Sequence, residues 1–261
     1  MTLGERLMEK LEFKTVFSIH IPEFTFTIAG HTVNTGVTIP VTETVVVMWV
    51  IMAFLIIGSV LLTRNLKTVP SGIQSVLEAG IEFLNNMAKN QFGRYAPFMS
   101  CYIGSIFLFL LVANMISVIS PIGLAPFATA SRNMEPLFSL KPPTRDINVT
   151  ASLAVISILL VLFLGIHARG LKGWIKNLFH PVPFMVIFNL MDFVTRPLAL
   201  CLRLFGNIFG GFVLMELIII CVPIIVPVPL SLYFDLFDGG IQAFIFCFLT
   251  TLYIHEAIAT E

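Results

Sequence analysis

Charge is what this sequence lacks. Of its 261 residues only 11% are Asp, Glu, Lys or Arg, whereas 57% are hydrophobic. A soluble domain carries roughly a quarter charged residues, so an ordinary globular core is excluded. The 15 basic and 15 acidic residues cancel, and this balance offers no sign of nucleic-acid binding. Four cysteines, Cys101, Cys201, Cys221 and Cys247, sit singly in apolar segments. Their spacing suits neither a disulfide framework nor a metal site, and they read as small buried hydrophobes. No phosphate loop, metal motif or nucleophile triad is present, so no metal or other cofactor is expected. The first forty residues hold Glu5, Arg6, Glu9, Lys10, Glu12 and Lys14. They lack an apolar stretch of signal-peptide length, and no cleavable leader is expected.

What is present is a series of long apolar runs, each to be compared with the roughly twenty residues needed to cross a bilayer. Residues 44–63 carry no charge and are followed by Arg64 and Lys67, giving a first span. Residues 71–92 differ. Ile73, Val76, Leu77, Ile81 and Leu84 recur at helical spacing among Glu78, Glu82, Asn85, Asn86 and Lys89. This predicts an amphipathic helix lying at the membrane interface. Residues 101–119 form a second span ended by Pro121, Gly123 and Pro126, and 147–166 a third, with Asp146 suited to its start. A segment of 39 residues, 184–222, would extend about 58 Å as one helix, so it must tilt, bend or fold back. Pro197 is its natural kink point. After a turn marked by Pro223, Pro227 and Pro229, residues 230–258 form a last long helix.

The expected fold is therefore an all-α polytopic membrane protein, a single membrane domain over residues 41–258. It has three spans, one interfacial helix and a C-terminal hairpin of two long tilted helices. Residues 1–40 form a polar tail in which 23–38 alternate around Gly30 and His31 as a short hairpin. Basic residues divide seven against six between the two sides. Those nearest the span ends favour the N-terminus outside and the C-terminus in the cytoplasm.

The terminal hairpin holds the informative charges. Between residues 183 and 254 these are Asp192, Arg196, Arg203, Glu216, Asp235 and Asp238. An ionisable group at mid-bilayer costs about 2.5–3.5 kcal/mol on insertion scales, and faces protein or a wet cavity. Asp192 and Arg196 stand near a segment end, where snorkelling to headgroups is an equal alternative. Arg203 stands near the middle of its helix, where it is not. Arg203 and Asn207 share a face one turn apart, followed by Gly210 and Gly211. These small residues admit either a partner helix or closer packing inside the hairpin. Asp235, Asp238 and Gln242 stand at i, i+3 and i+7, on one face of an unbroken α-helix. They read as a wet, acid-lined path or as an acidic cluster at a helix end. Ion movement is the natural inference.

"PLALCLRLFGNIFGG", residues 197–211, resembles the signature of subunit a of the F-type ATP synthase, an arginine within L-R-L-F-G-N. "GGIQAFIFCFLTTLYI" resembles the second signature of that family, around a glutamine. "PTRDINVT" and "GLKGW" are similar to its segments before and after the third span. The resemblance implies a stator packed against a ring of c subunits, each with a carboxylate, with ions crossing by two half-channels. Arg203 would face the passing carboxylate and separate the half-channels, and Gln242 would sit nearby and position it. Asn207 would line the same surface. In the best-known bacterial pattern a glutamate stands where this chain has Phe212, and a histidine where it has Asp235. Glu216 would then supply the carboxylate, Asp235 and Asp238 would replace the histidine, and Asp192 would belong to the cytoplasmic half-channel. Implied partners are the c-ring, the peripheral-stalk b subunits, the rest of the complex and the lipid bilayer, with no nucleic acid. The implied setting is a bacterial plasma membrane, and the coupling ion is a proton or sodium. The chain would not be an enzyme alone. The competing readings are a secondary transporter binding a small anion at Arg203, which would require inverted repeats that are absent here, and a structural membrane anchor.

Overall fold

The uncharged run after Glu43 forms helix α1 (Glu43–Thr63), with the Glu43 carboxylate in its first turn. There it complements the unpaired N–H groups and the dipole of the helix start. The computed structural model to which this helix belongs describes residues 15–20, 24–28, 31–35, 38–64, 66–70, 72–119, 142–179, 184–221, 229–230 and 232–258. The proline-marked loop after the second span and most of the Pro223–Pro229 turn lie outside those residues.

Ahead of α1 are two nested antiparallel ladders. Strand β2 (Phe24–Ile28) pairs with β3 (His31–Thr35), and β1 (Thr15–His20) pairs with β4 (Thr38–Thr42). The inner pair is the hairpin expected around Gly30 and His31, its strands separated by two residues. The outer pair was not expected; it carries the ladder on to Thr42, directly before α1.

Helix α2 (Ile73–Phe92) is amphipathic and buries Leu84, Ala88 and Phe92, one face at four-residue spacing. Ile73, Val76 and Ile81 stay exposed. Gly93 ends it at φ 49°, with its N–H on the Lys89 carbonyl. That left-handed turn suits glycine and redirects the chain into α3 (Ala96–Ile119).

A short 3-10 turn (Pro143–Arg145) precedes α4 (Ile147–Leu178). At its start an Asp146 carboxylate oxygen accepts from the Asn148 backbone N–H at 2.9 Å and from its Nδ2 at 3.0 Å. The helix runs past the Ile166 boundary expected from hydropathy and breaks at Gly170, whose φ of 71° is non-helical. The limb beyond turns back, so that Trp174 approaches Gly165 and its ring lies tilted against Phe193 with centroids 5.7 Å apart.

Helix α5 (Met185–Cys221) is continuous through Pro197. The last element differs from the single α-helix expected. A π-helical stretch, Leu232–Asp238, leads into α6 (Gly239–Ile258). The i, i+3, i+7 spacing of Asp235, Asp238 and Gln242 was read for an α-helix, and residues 232–238 are not α-helical.

Residues from α2 to α6 share one core, including Phe92, Met99, Ile103, Leu110, Leu164, Leu200, Leu204, Phe246 and Ile254. Helix α1 joins at its edge through Val47 and Ile51 against Ala113 and Ile116 of α3. Among the described residues five helices, α1, α3, α4, α5 and α6, are long and apolar enough to cross a membrane; α2 is not among them. Their outward side chains, such as Trp49, Phe54, Ile57, Phe163 and Leu198, are apolar and exposed. That surface would be an aggregation liability in water, but it suits lipid tails.

Candidate functional site

The site lies along the α5–α6 pair. One face of α5 buries Leu200, Cys201 and Leu204 in the core. Beside that face Arg203, Gly206, Asn207 and Gly210 are exposed. Arg203 makes no hydrogen bond or ion pair among the described residues, and Leu198 and Leu202 nearby are half exposed. A permanent guanidinium on an apolar helix face is therefore left unpaired by the described residues.

Asn207, one turn on, reaches α6: its Nδ2 donates to Gln242 Oε1 at 2.8 Å. Gln242 is fully buried, so this bond satisfies an amide that would be costly to leave bare. The structure thus joins Gln242 to Asn207. It places the arginine one turn from that bond and gives no hydrogen bond between Arg203 and Gln242.

The glycines divide into two roles. A Cβ at Gly206 or Gly210 would meet nothing within 4 Å. At Gly211 a Cβ would stand 3.2 Å from Phe234 Cδ1, so this glycine packs within the hairpin. Of the alternatives read from the sequence, packing inside the hairpin holds at Gly211, while Gly206 and Gly210 face open space.

Beyond the glycines, Phe212 lies under a second arginine. The Arg145 guanidinium carbon is 4.1 Å from its ring centroid, and Arg145 is only 2% exposed. The neighbouring Thr144 Oγ1 donates to Asn114 Oδ1 at 2.7 Å, and Asn114 Nδ2 donates to the Gly239 carbonyl at 3.0 Å. This buried polar chain ties the Pro143–Arg145 turn to α3 and to the π-to-α junction. Sequence reasoning placed no role on Arg145, Asn114 or Thr144. The signal was there: an amide inside a charge-free span, and an arginine beside the aspartate of PTRD.

At the other end of α5, Arg196 Nη2 is 3.0 Å from Asp192 and its Nη1 is 2.6 Å from Glu256 on α6. The same guanidinium stands 5.0 Å from the Tyr253 ring centroid. Asp192, Arg196 and Glu256 line a cavity of about 240 Å³ between α4, α5 and α6, with Trp174, Asn189 and Phe193. Glu256 was also missed, because it lies past the apolar core of the last helix. Asp238 is half buried near Gly239; the side chains of Glu216 and Asp235 lie outside the described residues. Among the described residues no three His, Cys, Asp or Glu side chains are placed to hold a metal ion.

Residues 45–255 match the family described as ATP synthase A chain. The chain is 34% identical over 268 residues to "ATP synthase subunit a, sodium ion specific" of Propionigenium modestum, covering 98% of this chain and 92% of that protein. It is 36% identical over 220 residues to "ATP synthase subunit a" of Moorella thermoacetica, covering 83% of this chain and 90% of that one.

Proposed function

The chain belongs to the ATP synthase A chain family, a membrane-sector subunit that is not catalytic alone, and from that premise we propose that Arg203 separates two half-channels facing a ring of c subunits. The observation that carries this reading is the bare guanidinium. Arg203 stands on an exposed apolar face, followed by the open Gly206 and Gly210, with no partner among the described residues. Such a cation calls for a carboxylate from another chain, and a fixed positive charge favours the ionised form of a carboxylate that passes it. Its charge also opposes direct passage of cations along the surface. Gly206 and Gly210 leave room for a ring helix to approach closely.

On this reading the five long apolar helices cross the membrane, α5 and α6 as a tilted hairpin, while α2 lies in the interface. The Asp192 cavity belongs to the cytoplasmic half-channel. Glu216, Asp235 and Asp238 line the outer one, and Asn207 with Gln242 forms part of the ring-facing wall. The peripheral-stalk b subunits and the c-ring are the partners in a bacterial plasma membrane, with the N-terminus outside. The sodium-specific name of the Propionigenium modestum relative favours sodium as the first coupling ion to test, with the proton as the other.

The test is ATP synthesis by the reconstituted complex under an imposed ion gradient, comparing the native chain with Arg203→Ala, with and without sodium. Co-purification of ring and catalytic head verifies assembly. Lost synthesis in an assembled complex is the expected result; undiminished synthesis overturns the reading.

A further inference from the structure

Arg196 lies seven residues before Arg203, two turns or about 10 Å along the same stripe of α5. Unlike Arg203 it is fully engaged. One guanidinium nitrogen takes Asp192 on its own helix at 3.0 Å, and another takes Glu256 on α6 at 2.6 Å. Those two carboxylates are the acidic lining of the 240 Å³ cavity, which has room for several waters. Their side chains are 52% and 57% exposed, so they remain reachable by a solvated cation. An ion pair this exposed is weakened by solvent screening and the entropy of holding two long side chains, and contributes too little to explain the arrangement as a staple. What the arginine does change is the charge of the cavity. Asp192 and Glu256 alone sum to −2, and Arg196 brings the total to −1.

Resting on the reading given above, we propose that Arg196 is a positioning residue that sets how tightly this cavity holds the transported cation. It occupies both carboxylates, so an arriving cation must compete with the guanidinium for them. The cavity attracts cations and still releases them, and an ion conductor needs both properties. The clasp to Glu256 also joins α5 to α6 at one height, as Asn207 and Gln242 join them at another, with Arg203 between the two.

The test uses the whole complex in liposomes with ATP-driven uptake. It is followed with radioactive sodium over a concentration series and, with sodium omitted, with a dye reporting protons. Whichever ion drives uptake is titrated. Arg196→Met leaves the cavity at −2. The ion concentration for half-maximal uptake is expected to fall about tenfold, with a matching loss of maximal rate as release slows. Arg196→Met combined with Glu256→Gln restores −1, and both parameters are expected to return to within about twofold of the native complex. A purely structural clasp predicts otherwise: the double variant lacks both ends and stays as impaired as the single one. That result, or a half-maximal concentration unmoved by Arg196→Met, overturns the proposal. Arg203→Ala, run in parallel, separates the two failures. If it abolishes uptake while the Arg196 variants behave as native, only this inference falls; if it leaves uptake intact, the half-channel reading falls with it.

Discussion

Arg196 and Arg203 stand two turns apart on one helix, yet their surroundings are opposite. Arg196 is held by Asp192, Glu256 and the face of Tyr253. Arg203 has open glycines beside it and no partner among the described residues. Arg145, over Phe212, is a third case, a cation almost wholly removed from solvent. Composition treats the three alike. A cation satisfied inside its own chain serves that chain's architecture or its cavities, whereas one left bare in an apolar surface needs a carboxylate from elsewhere. The glycines repeat the lesson: Gly211 is filled by Phe234, while Gly206 and Gly210 face open space.

The sharpest way to break this contrast is to change both exposed-stripe arginines to lysine. Arg203→Lys is expected to lower gradient-driven ATP synthesis by more than about tenfold in an assembled complex, because an ammonium cannot present the planar fork of a guanidinium. Arg196→Lys keeps the charge of the cavity and is expected to stay within about twofold. Equal effects would erase the distinction between the two sites.

Next in size is a side chain on the open face. Gly210→Leu starts from a position where an added Cβ meets nothing within 4 Å. It should leave the thermal stability of the isolated subunit unchanged within about 0.5 kcal/mol while reducing co-purification of the ring. Intact ring association would show that this face is not in close contact with a partner.

The buried cation is tested by a double-mutant cycle. Arg145→Met and Phe212→Leu are expected to couple by about 2 kcal/mol in the thermal unfolding of the purified subunit, as for a desolvated cation over a ring. Purely additive losses would mean that the 4.1 Å approach contributes nothing of its own. The smallest change is Gly211→Ala. Its Cβ presses on Phe234, and a loss of about 1 kcal/mol is expected in the same measurement. No loss would mean that the Phe234 ring simply swings aside.

Most of the helices were legible because hydropathy is summed along a single segment. The runs at 44–63, 101–119, 147–166 and 184–222 all correspond to helices, and the polar spacing of 71–92 predicted the amphipathic α2. Boundaries were less legible where backbone geometry overrode composition. Helix α4 continues beyond its apolar core because nothing at 167–169 stops a helix, and it breaks only at the left-handed Gly170. The π-helix before Gly239 has no periodic signature over seven residues. It accompanies a close approach in which a Cβ on Gly239 would stand 3.0 Å from Asn114 Cβ.

The membrane class, the helical runs and the signature that holds Arg203, Asn207 and Gln242 all rest on residue type and local spacing. Which polar groups meet is settled by how the helices pack. Asn207 bonds Gln242 across 35 residues, Asn114 reaches Gly239 across 125, and Arg196 reaches Glu256 on the other helix of the hairpin. An apolar surround makes every one of these groups seek a partner. Which partner it finds depends on how the helices pack, and for Arg203 that packing supplies none among the described residues.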